Sequence, residues 1–131
     1  MNVIVRVTRL ILSLLALALI ALGVLFWTGR ALSLLPLHIM LGGLFVICMW
    51  LLSGLAFYAR RAPVLAAVVF IWGLIVPFFG EEQLRLFPGS PLHWTVQALH
   101  LLVGIVAIGL AHALAGRILR PAAVSQRITS K

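Results

Sequence analysis

The chain predicts an all-α fold, an integral membrane four-helix bundle with both termini cytoplasmic. Three observations carry this expectation. Of 131 residues, 64% are hydrophobic and 9% are charged, whereas a soluble domain is roughly half apolar and about a quarter charged. Apolar stretches at residues 10–27, 37–59, 64–79 and 94–115 approach or exceed the ~20 helical residues that cross a hydrocarbon core about 30 Å thick. The basic residues also divide by side. If the helices alternate direction, Arg6, Arg9, Arg60, Arg61, Arg117, Arg120, Arg127 and Lys131 share one side, leaving Arg30 and Arg85 on the other. The positive-inside rule then puts the first group in the cytoplasm. The expected setting is a bacterial cytoplasmic (inner) membrane, crossed by a single transmembrane domain over residues 1–131.

The first span follows a short basic leader with Arg6 and Arg9. A secretory signal reads similarly at its start, but the apolar run continues through Phe26 and Trp27 with no small-residue cleavage site after it, so a retained helix is expected. An outward link, residues 28–36, ends in Pro36, which suits a helix entry. The second span holds the chain's single cysteine, Cys48, read as a small buried hydrophobe. The tight turn at residues 59–63 makes the second and third spans antiparallel neighbours. The third span is the shortest and contains Pro77, which removes a backbone hydrogen bond and is expected to kink its end.

The link at residues 80–92 carries Glu81 and Glu82, the chain's only acids, and the turn-rich run Pro88-Gly89-Ser90-Pro91. The fourth span is expected to stop before Pro121, with residues 116–131 forming a cytoplasmic tail. A net charge of +8 would suggest nucleic acid for a soluble protein. Here the cations flank apolar spans, so the expected partner is the lipid bilayer and its anionic headgroups, with no nucleic acid.

The pattern Leu-His-x-x-x-Gly occurs twice, at residues 37–42 and 99–104. At 100° per residue, His38, Gly42, Phe45, Met49, Ser53 and Ala56 share one face of the second span. His93, Gln97, His100, Gly104, Ala107, Ala111 and Ala115 share one face of the fourth. Both helices run the same way, so His38 and His100 fall in the same outer half of the bilayer. Ionisable residues inside a membrane are costly and face the bundle interior, often at a site.

Two neutral imidazoles can ligate the iron of a b-type haem, while Gly42 and Gly104 admit the ring edge. His93 is the alternative ligand if depths do not match. Arg30 and Arg85 are placed to meet haem propionates, and Glu81 and Glu82 to exchange protons with a neighbouring quinone. In architecture and in its paired intramembrane histidines, the chain resembles four-helix membrane cytochromes, which implies haem b and electron transfer.

Other readings compete. Histidines in a bundle also hydrogen-bond across helices, and glycine and alanine also permit close packing. His112 has the same spacing to Gly116 at the opposite membrane surface, where a structural role is expected. A scaffold, accessory or regulatory subunit would place the bundle against a membrane protein partner or a second copy. A small transporter resembling the multidrug exporters is disfavoured, because the first span has no acidic residue. A metal site of His38, His93 and His100 has no cysteine or carboxylate cluster beside it. Enzyme templates are absent: there is no phosphate loop, Gly-x-Ser-x-Gly elbow or His-Glu-x-x-His helix, and no aspartate at all.

Overall fold

The computed structural model describes residues 1–82, 85 and 91–120, and among them every long element is a helix. Helix α1 is Asn2–Trp27, α2 is Leu35–Tyr58, α3 is Pro63–Glu82 and α4 is His93–Leu119, with a short 3₁₀ turn, Leu32–Leu34, before α2. All are long and apolar enough to cross a membrane. Their outward surfaces carry exposed Leu10, Leu14, Leu17, Ile39, Met40, Ile47 and Leu102, as suits helices solvated by lipid tails.

The helices extend further than hydropathy drew them. The leader is helical from Asn2, with Val5 and Thr8 buried in the bundle. Helix α3 continues past Pro77 to Glu82, so Gly80 belongs to a helix rather than a link. Helix α4 passes residue 115 because Ile118 is still packed in the core. Residues 88–90 of the turn-rich run, Pro121 and the tail beyond it lie outside the described residues.

Two chain reversals are made by the same device. At the end of α1, Arg30 N–H donates to Leu25 O and Gly29 N–H to Phe26 O, with Gly29 left-handed at φ +72°. At the end of α2, Arg61 N–H donates to Ala56 O and Arg60 N–H to Phe57 O. This is the double-bonded helix stop that usually takes glycine. Arg60 occupies the left-handed position at φ 51°, at a cost of about 1 kcal/mol relative to glycine.

Around the bundle α1 packs on α2 and α4, and α3 packs on the same two. Helices α2 and α4 also meet across the diagonal, whereas α1 and α3 share no contact among the described residues. The histidine-bearing helices therefore face each other through the centre. One end of the bundle gathers Arg6, Arg9, Arg60, Arg61, Arg117 and Arg120; there Arg9 reaches His112 on α4 and Arg61 donates to the terminal carbonyl of Arg120. The core is concentrated in this half, with Leu12, Met49, Leu52, Ala56, Ala66, Val69, Ala107, Ala111, Leu114 and Ala115 all essentially inaccessible. In lipid, packing rather than apolar transfer holds helices together, and small residues let their backbones approach. Ala107, Ala111 and Ala115 fit that role.

Two indoles fasten α3 to its neighbours. Trp50 Nε1 of α2 donates to Phe70 O at 3.2 Å, and Trp72 Nε1 of α3 donates to Val103 O of α4 at 3.1 Å. The Trp50 ring lies over Gly73, where an added Cβ would stand 2.6 Å from Trp50 Nε1 and 3.1 Å from Cδ1. Gly73→Ala is expected to destabilise the bundle by about 1–3 kcal/mol through this overpacking. Thermal unfolding in detergent measures the loss, and Trp50→Leu in the same chain should recover part of it.

Candidate functional site

The half of the bundle opposite the basic end is organised around a cavity of about 640 Å³, within the usual range for small-molecule and cofactor pockets. All four helices line it. Helix α1 contributes Gly23, Phe26 and Trp27, and α2 contributes His38, Gly42 and Gly43. Helix α3 adds Val76, Pro77, Gly80 and Glu81, and α4 adds His93, Gln97, His100 and Gly104. The wall is mainly apolar with a few convergent polar groups, the composition that holds and orients a largely apolar ligand.

His38 lies in the first turn of α2 and His100 about two turns into α4, yet their rings meet, with centroids 6.4 Å apart and planes at 53°. The edge of Phe26 packs on His38 at 5.4 Å. Gly80 stands beside His100, so that a Cβ there would touch its Cε1 at 3.4 Å. The Nδ1 atoms of both histidines are buried and have no hydrogen-bond partner. An unsatisfied buried nitrogen costs about 1–3 kcal/mol, and such a group usually serves an ion, a water or a reaction. Interhelical hydrogen bonding by these atoms is therefore not what holds the pair in place.

The glycines give a parallel result. An added Cβ on Gly42, Gly43 or Gly104 would meet nothing within 4 Å, so none of them is needed for helices to touch. The same holds at Gly54, Gly109 and Gly116. Gly42 and Gly104 differ from those three in opening into the cavity. The close-packing role belongs to Ala107, Ala111 and Ala115 below them, which are buried.

The helical-wheel faces are realised. Phe45, Met49, Ser53 and Ala56 are buried on α2, and His93, Gln97, His100 and Gly104 line the cavity on α4. His38 pairs with His100, and His93 stands in the same cavity wall. Among the described residues no three His, Cys, Asp or Glu side chains cluster as a metal site. The three-histidine alternative of His38, His93 and His100 is therefore not assembled as a metal-holding cluster. Arg30 and Arg85 do not line the cavity. Arg85 is engaged by Glu81 at 2.5 Å and by Glu82 at 3.9 Å, so the two acids and this cation form a local cluster at the end of α3. His112 is built into a structural link at the far end: it accepts from Arg9 Nε at 3.3 Å and lies 3.4 Å from Ser13 Oγ.

Comparison with protein-family models, with curated proteins and with solved structures returns no match. The site's chemistry is accordingly read from its own residues. Phe26, Gly43 and Gly80 are members that sequence reasoning missed. Gly80 was detectable in principle, since a helix running one turn past Phe79 would bring it to the depth of a histidine on the next helix.

Proposed function

We propose that this protein is a small cytochrome of the bacterial inner membrane, holding one b-type haem between His38 and His100 for electron transfer, with its basic end in the cytoplasm. The observation that carries the reading is the half-buried histidine pair, its Nδ1 atoms buried and unpartnered, at the wall of a large apolar cavity. His38 and His100 would each supply an imidazole nitrogen to the haem iron, which such a group accepts from neutral histidines on two helices. The observed centroid separation is 6.4 Å. Each ring also retains a buried nitrogen that the protein does not use, and the bareness of Gly42 and Gly104 leaves room for a flat macrocycle.

When bound, the haem supplies one-electron chemistry, with a potential set by its axial ligands and surroundings. The chain's residues do the rest. His38 and His100 would bind it from parallel helices; Phe26 packs on the His38 ring, and the missing side chain of Gly80 leaves room for the His100 ring. The mainly apolar wall would limit water around the bound group. Neither outer arginine lines the cavity, and Arg85 is compensated by Glu81 and Glu82, so no propionate partner is assigned. The orientation is supported by six arginines at one end against two at the other among the described residues.

The test is an optical one. Protein purified from haem-sufficient cells should give a reduced-minus-oxidised difference spectrum of a six-coordinate b-type cytochrome. A colourless protein that takes up no added haem points instead to a scaffold or accessory subunit.

A further inference from the structure

A second cavity lies at the opposite end of the bundle, between the first turns of α1 and the end of α4. It is a notch of about 330 Å³ lined by Arg6, Arg9, Leu10, Ser13 and Leu119. We propose that this notch binds the phosphate of an anionic phospholipid, with Arg6, Arg9 and Ser13 holding the headgroup and Leu10 and Leu119 meeting the start of an acyl chain.

Charge balance is the first argument. The chain has two acidic side chains, Glu81 and Glu82; both lie at the end of α3, where Arg85 engages them. No carboxylate side chain is therefore available to Arg6 or Arg9. Guanidinium groups are matched to phosphate oxygens by charge and by their planar fork of donors.

Preorganisation is the second argument. Arg9 donates its Nε–H to His112 Nδ1 at 3.3 Å, and His112 Nε2 lies 3.4 Å from Ser13 Oγ. Ser13 in turn donates to Arg9 O at 3.0 Å. This ring of contacts fixes the Arg9 stem through Nε and leaves its terminal nitrogens for a ligand. The acceptor that fixes it is a neutral-capable imidazole rather than a carboxylate, so the arginine's charge is not cancelled.

Depth is the third argument, and it selects a lipid over a free phosphate. Helix α1 has 26 residues, about 39 Å at 1.5 Å per residue, against a hydrocarbon core of about 30 Å. With Trp27 at one interface, a rise of about 30 Å returns to the region of Thr8. Arg6 and Arg9 therefore bracket the opposite boundary, where lipid phosphates lie. Leu10 and Leu119 face the adjoining apolar layer. A zwitterionic headgroup would bring a choline cation to two guanidinium groups, so an anionic lipid is favoured.

Native mass spectrometry of the full chain in detergent, titrated with phosphatidylglycerol or phosphatidylcholine, tests this. One phosphatidylglycerol is expected to be retained in preference to phosphatidylcholine. At about 1 kcal/mol per interfacial arginine, Arg6→Gln should weaken it about fivefold and Arg6→Gln with Arg9→Gln about 30-fold. The Arg6 side chain makes no hydrogen bond among the described residues, so the single variant is expected to leave the fold undisturbed. Arg60→Gln with Arg117→Gln removes the same charge outside the notch and should leave the affinity within about twofold. The proposal is overturned by equal retention of the two lipids, by unchanged binding in the Arg6/Arg9 variant, or by equal loss in the Arg60/Arg117 variant. Displacement of the lipid by inorganic phosphate at the same concentration would identify a free-anion site and overturn the lipid assignment.

Discussion

Replacing either His38 or His100 by alanine is expected to abolish six-coordinate haem binding while leaving the four helices assembled. The two halves of this result follow from different observations. Each replacement would remove one of the two imidazoles proposed to hold the haem; His93 and Glu81 line the same cavity, but no three such side chains cluster as a metal site among the described residues, so affinity should fall by at least about 100-fold, as when a directly ligating group is lost rather than an outer-shell partner. The bundle should survive, because the buried Nδ1 atoms of both residues have no hydrogen-bond partner to lose. Haem content per chain and thermal unfolding of the haem-free protein measure the two effects separately. A histidine pair that served packing alone would show the reverse, a destabilised bundle with no change in visible absorption.

Filling the cavity from its bare positions should have an equally large effect by a different route. Gly42→Leu and Gly104→Leu each place a branched side chain where a Cβ meets no atom within 4 Å. The haem-free protein should therefore tolerate them with less than about 1 kcal/mol of change, since leucine favours a helix over glycine by a comparable amount. Haem binding should be lost, because the side chain occupies the space beside the histidines that the ring requires. Gly109→Leu is the matched control: it is as open sterically but is absent from the cavity wall, and haem binding should be retained. Equal haem content in Gly42→Leu, Gly104→Leu and Gly109→Leu would show that the ligand lies elsewhere.

Much of the framework was legible from residue spacing. Hydropathy located each span, and a rotation of 100° per residue gathered Phe45, Met49, Ser53 and Ala56 on one face and Ala107, Ala111 and Ala115 on another, all of which are buried. Direction along alternating helices put His38 and His100 at one end. The diagonal contact between α2 and α4 that brings their rings together could not be read from periodicity. Packing angle and link geometry decide it, and a wheel of one helix contains neither.

Helix ends were legible only approximately. Hydropathy falls at Gly80 and at Gly116, but the backbone continues as helix because it satisfies its own hydrogen bonds there. The extra turn on α3 is what carries Gly80 to His100. The indole bonds of Trp50 and Trp72 were hidden for a similar reason: a tryptophan in a span is apolar by composition, and only tertiary structure shows which carbonyl its N–H reaches. The glycines carried an ambiguous signal, since close helix contact and an open cavity both favour a missing side chain. The space around each Cβ position separates the two uses.

The most direct measurement is electron paramagnetic resonance of the oxidised, haem-loaded protein, combined with a haem-to-chain ratio. One haem per chain is expected, with the low-spin ferric signal of two imidazole ligands, lost in both the His38→Ala and the His100→Ala variants. A protein that binds no haem, or one whose low-spin signal survives either replacement, would contradict it.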